Sequence, residues 1–141
     1  MLAVLALLTL DSPRPLSLAG IQAGQTVQAI EQRLKRSGWV SGASAFAGRY
    51  QGLRAVLSPQ CGAARCRPQA VPQTLTLTLY GLTCQEGRAA IIRENGRPDD
   101  ARLKLGGGPD ESLWNRSNAS LTAYCADGVM FARLRRNGLS R

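Results

Sequence analysis

Two stretches of this chain share one layout, and each carries a cysteine at the same point in it. The later runs Ser120-Leu-Thr-Ala-Tyr-Cys125, then Ala126-Asp127-Gly128, then Val129-Met-Phe-Ala-Arg-Leu-Arg-Arg136. The earlier runs Leu75-Thr-Leu-Thr-Leu-Tyr-Gly-Leu-Thr-Cys84, then Gln85-Glu86-Gly87, then Arg88-Ala-Ala-Ile-Ile-Arg93. Acid-Gly between runs of β-formers is a strong hairpin signal, because the favoured two-residue turn needs positive φ at its centre. Both stretches are therefore expected to be β-hairpins. The fold expected from them is α+β: one main N-terminal helix on an antiparallel sheet of the two hairpins plus one or two further strands, stapled by disulfides.

The cysteines sharpen this. There are four and no histidine, which argues against most zinc sites and for two disulfides, formed in an oxidising compartment. Cys61-Gly-Ala-Ala-Arg-Cys66 reads as a local loop staple, and Cys84 then pairs with Cys125 by elimination. The competing reading is four reduced, buried thiols in a cytosolic protein. The first ten residues, Met1 to Leu10, are almost wholly apolar. Their length suits the core of a signal peptide and is about half of the ~20 residues a spanning helix needs. No Lys or Arg precedes them, and the nearest small-x-small cleavage pattern is Ser17-Leu18-Ala19. Either the run is an incomplete export signal or it is a buried strand or helix. Residues 1-19 are taken as an export segment and linker and 20-141 as a single domain, in a periplasmic or secreted bacterial protein.

Along the chain, Leu16, Leu18 and Ile21 can form a short strand. Thr26 can cap a helix whose apolar stripe is Val27, Ile30 and Leu34, with Lys35 and Arg36 at its C-terminal end. Gly38 stands where a left-handed C′ residue belongs, and Trp39 can pack back on Leu34. Within this stretch, Leu18-Ala-Gly-Ile-Gln-Ala-Gly-Gln-Thr-Val-Gln-Ala-Ile-Glu-Gln-Arg-Leu34 resembles the opening of small exported envelope domains of the SmpA/OmlA outer-membrane lipoprotein type. The resemblance implies helical elements against an antiparallel sheet and a part in envelope protein assembly. It carries over no functional residue; the lipid-bearing cysteine of such proteins has no counterpart, since no cysteine precedes Cys61, and no second helix is evident.

Residues 41 to 48 read as a loop or weak edge strand, 49 to 58 as one strand, and 59 to 73 as a long basic loop. Thr74 to Tyr80 alternates threonine and leucine and is the clearest half-buried strand. Residues 97 to 104 read as a linker. The glycine run after Leu105 lacks the spacing of a phosphate or dinucleotide loop and reads as a flexible connection. Ser112 to Ser117, with Trp114, reads as a short helical turn.

Without histidine, Ser-His-Asp, Cys-His and His-based metal sites are impossible. Glu86 and Asp127 take matching places in the two expected turns; a carboxylate-dependent hydrolase is a minor alternative, set against the ordinary role of acids in tight turns. No catalytic residue, metal or cofactor is expected. Binding is better supplied: the formal charge is +9, and only Lys35 and Lys104 among the 18 basic residues are lysines. Arg133, Arg135 and Arg136 close the second hairpin, and Arg88 and Arg93 lie near the matching part of the first. These five form the expected anion-binding face, for polysaccharide, nucleic acid or an acidic protein, against a bland reading as solvated charge. The leading expectation is an exported or periplasmic, non-catalytic binding or structural protein, with an envelope protein or an anionic polymer as partner; the anion-binding module is the alternative. No nucleic-acid motif and no transmembrane span accompany it.

Overall fold

The computed structural model describes residues 14–62, 65–81, 83–102 and 111–137. The apolar start and the glycine run lie outside these residues. The chain forms β1 (Ser17–Leu18), β2 (Ile21–Gln22), α1 (Val27–Arg36), β3 (Val40–Ser41), β4 (Phe46–Tyr50), β5 (Leu53–Gln60) and β6 (Thr74–Tyr80). It continues through α2 (Cys84–Asn95), β7 (Asp100–Arg102), β8 (Glu111–Asn115), β9 (Ala119–Ala126) and β10 (Val129–Arg136). Eight strands make one antiparallel sheet in the order β3-β4-β5-β6-β10-β9-β8-β7, and β1 with β2 makes a separate hairpin. The α+β class and the antiparallel sheet are as expected. The element count is not: the described residues hold two helices, and the sheet is far larger than two hairpins.

α1 forms as its sequence dictates. The Thr26 hydroxyl accepts from the Ala29 N–H at 3.2 Å, and Ile30 and Leu34 are buried. At the other end the Trp39 N–H returns to the Leu34 carbonyl at 3.0 Å across Gly38, whose φ is +87°. Trp39 then lies on β4. An added Cβ at Gly48 would stand 2.3 Å from its indole, so only glycine lets the ring pack there.

The expected first hairpin is instead the start of α2. The Thr83 hydroxyl accepts from the Glu86 N–H at 3.2 Å, and Glu86 sits in the first turn, where the helix dipole favours a negative charge. Gly87 is inside the helix, not in a turn, because a Cβ there would come within 2.8 Å of the Met130 Cβ. The glycine thus permits close contact between helix and sheet. Gly87, Ala90 and Ile91 form the buried stripe of α2.

Three two-residue turns share one conformation, with positive φ at both central positions: Ala19-Gly20, Gln51-Gly52 and Asp127-Gly128. The last closes β9 on β10 as expected. The second splits residues 49 to 58 into β4 and β5, so this segment is a hairpin and not a single strand. Residues 112 to 115 are strand β8, not a helical turn, with Trp114 fully buried opposite Leu121. The expected linker after Arg97 contributes β7, paired with β8.

One face of the sheet carries the core. Leu57, Leu77, Ala132 and Ala123 form one buried row across four strands, and Leu75, Leu134, Leu121 and Trp114 form another. Both helices contribute to the same cluster. The two disulfides are the expected pairs, Cys61–Cys66 and Cys84–Cys125, the second tying the first turn of α2 to β9. Among the described residues, no helix is long and apolar enough to cross a membrane.

β1 and β2 belong to this unit. Leu16, Leu18 and Ile21 are buried in the core. The Asn95 side chain pairs with both backbone groups of Ser17, accepting at 2.8 Å and donating at 2.9 Å. The neighbouring Glu94 carboxylate accepts from the Ser17 hydroxyl, the Ala19 and Gly20 N–H groups and the Tyr50 phenol.

Candidate functional site

Among the described residues, no helix lies on the other face of the sheet. Its character follows from strand alternation: in β10, Met130, Ala132 and Leu134 are buried, while Val129, Phe131, Arg133 and Arg135 point the opposite way. Two residues of extended chain separate the arginines, about 7 Å along the strand. Arg133 stands between Thr76 of β6 and Thr122 of β9, and Arg135 between Thr74 and Ser120. Each guanidinium is thus framed by hydroxyl-bearing neighbours on both sides. Both arginines are exposed, and no hydrogen bond or ion pair to another described residue engages them.

Next along the strand, Phe131 stands opposite Tyr124, and their rings stack with centroids 5.3 Å apart and planes 22° from parallel. Glu111 on β8 pairs in register with Tyr124. Glu111, Ser120, Thr122, Tyr124, Arg133 and Arg135 line an open cleft of about 410 Å³. Further toward β4, Arg49 and Arg54 are cross-strand partners, and the Arg54 guanidinium lies 5.9 Å from the centroid of the Tyr80 ring.

The five arginines named from sequence are divided between the two layers. Arg133 and Arg135 share the open face. Arg136 has the opposite parity and is half-buried, its Nε meeting no acceptor among the described residues. Arg88 and Arg93 belong to α2, on the covered side. Glu86 and Asp127 are not equivalent either, one being in a helix and the other in a turn with φ +52°. Among the described residues, no group of three or more acids and cysteines could hold a metal.

What the sequence reading missed is the company the two arginines keep: Tyr124, Phe131 and the flanking Thr and Ser side chains. The signal was available. A two-residue Asp-Gly turn fixes Val129 opposite Ala126, and counting back from there puts Phe131 against Tyr124 and Arg133 against Thr122. A second cleft, of about 330 Å³, lies between α1, the 42–45 loop and the stapled loop, with Glu31, Arg65 and the Cys61–Cys66 bridge on its walls. No family model, curated protein or solved structure matches this chain.

Proposed function

We propose that this chain is an exported, non-catalytic binding protein of the bacterial periplasm or envelope, and that it holds an anionic polymer on the open face of its sheet. The observation that carries this reading is the pair Arg133 and Arg135, side by side, exposed, unengaged by other described groups and framed by hydroxyls. Arginine presents a planar fork of donors matched to carboxylate and other oxyanions, and a two-arginine step along a strand meets successive charges of an extended chain. The formal charge of +9 favours approach of any polyanion. Two disulfides favour an oxidising compartment, and the lack of histidine removes the commonest acid-base catalyst.

The test is binding of labelled heparin to the native, oxidised protein at 150 mM salt. Replacing both Arg133 and Arg135 by alanine should weaken binding at least tenfold with unchanged circular dichroism, whereas Arg93→Ala should leave it within twofold. Unchanged affinity in the double variant rejects the open face as the site. Four alkylatable thiols in protein recovered from a periplasmic fraction would reject the exported, oxidised state.

A further inference from the structure

We infer that the polymer is an acidic polysaccharide whose charge is carboxylate, a uronic-acid chain, and not a nucleic acid. This rests on the reading above and narrows its ligand. The geometry disfavours nucleic acid in two ways. β10 is a central strand, and eight strands spaced about 4.8 Å apart make a surface far wider than the ~12 Å major groove that admits a two-stranded ribbon. A single strand would instead need free aromatic faces for its bases. Here Tyr124 and Phe131 cover one face of each other, and Thr78 is the next residue beyond Phe131 across the sheet. The Tyr80 ring carries the Arg54 guanidinium.

What the face offers instead is an alternation of guanidinium and hydroxyl. Each unit of a uronic-acid chain brings one carboxylate surrounded by secondary hydroxyls, each able to donate and accept. The carboxylate fits the two parallel N–H donors of an arginine fork. The sugar hydroxyls meet Thr122 beside Arg133, and Thr74 and Ser120 beside Arg135, which likewise donate and accept; Thr76, whose hydroxyl donates to Gln60 Oε1 at 3.2 Å, adds an acceptor. The Tyr124 phenol adds another such group in the same cleft. A DNA phosphodiester only accepts, so it can take a proton from these hydroxyls but leaves their acceptor side unused.

The experiment compares oligogalacturonate with oligo(dT) of equal charge at 150 mM salt, on the full-length oxidised protein. Three variants are used: the double substitutions Arg133→Ala with Arg135→Ala and Arg133→Lys with Arg135→Lys, and Thr122→Val. The uronate should bind at least tenfold more tightly than oligo(dT). The lysine pair keeps charge but loses the fork, and should lose about tenfold for uronate; oligo(dT), whose phosphates also pair with the fork but whose binding is mostly charge-driven, should lose less. Thr122→Val should weaken uronate binding severalfold and leave oligo(dT) unmoved. Equal affinity for both polymers, or a lysine variant undiminished toward uronate, overturns the carboxylate assignment and leaves the anion-binding reading standing. If the alanine pair changes binding of neither polymer, the reading beneath it falls as well.

Discussion

Tyr50 shows how one side chain can hold two layers of this protein together. It ends β4, is buried, and its phenol donates to Glu94 at 2.5 Å, on the helix that also receives β1. Burial, then the negative charge of Glu94, pushes its pKa well above the ordinary value of a tyrosine, against a smaller opposing pull from Arg93. The native state therefore holds this proton more tightly than the unfolded chain does. Its contribution is complete below about pH 10, the ordinary tyrosine value, and is lost as pH rises beyond it, by about 1.4 kcal/mol per pH unit. Tyr50→Phe should lower stability by about 2 kcal/mol at pH 7, as a hydrogen bond to a charged acceptor is lost. Above pH 10 the variant should fall off less steeply than the parent, by one proton; urea midpoints measured from pH 7 to 11 check both the offset and the slope. Gly48 is the complementary case, where a residue matters for what it lacks. Gly48→Ala would push Cβ into a rigid, buried indole, and should cost about 3 kcal/mol, at the upper end of overpacking effects, with a change in the near-ultraviolet circular dichroism of Trp39. A Gly48→Ala variant as stable as the parent would show that Trp39 can reseat freely.

At the scale of elements, the N-terminal hairpin packs as part of the core. A cut after Ala19 would remove Leu16 and Leu18, which are 2% and 0% exposed, and would deprive Glu94 and Asn95 of Ser17. Each buried leucine is worth about 2–5 kcal/mol, set against a typical total of about 5–15. A chain starting at Gly20 should therefore show no cooperative thermal transition by circular dichroism at 25–60 °C; a sharp one would show that β1 is dispensable. The elements whose cause is local were the ones legible in sequence. β6 alternates, α1 has its cap and stripe within ten residues, and Asp127-Gly128 names its own turn. α2 was misread although Thr83-x-x-Glu86 matches the start of a capping box, because Gly87 looks like a turn residue until Met130 is seen beneath it. Gln51-Gly52 lacks the Asn or Asp that marks such turns, and β8 is placed by its pairing with β9 and β7 by its pairing with β8, which no local pattern in them contains. Of the candidate site, the arginine pair was legible from alternation, while its hydroxyl frame required the pairing of β10 with both neighbours.

Across the whole molecule the second expected hairpin forms and the first does not, and a larger regularity replaces their repeat: a helix followed by four antiparallel strands, twice over, α1 with β3 to β6 and α2 with β7 to β10. The last strands of the two units pair at the centre of the sheet, so both helices share one core and the opposite face is left continuous. Charge on that face is uneven, with Arg49, Arg54, Arg133 and Arg135 on β4, β5 and β10 and Glu111 toward the far edge on β8. Glu111 lies two strands and two residues from Arg133, about 12 Å between backbones. At that range in water the repulsion between its carboxylate and a bound anion is about 0.3 kcal/mol, and salt at 0.15 M, with a screening length of about 8 Å, reduces it further. Glu111→Gln should then tighten binding of oligogalacturonate by less than twofold at 150 mM salt and by more at 20 mM, where screening is weaker. If the substitution weakens binding at both salts instead, Glu111 is a ligand-contacting acceptor for sugar hydroxyls, and the site extends across β9 to the edge of the sheet.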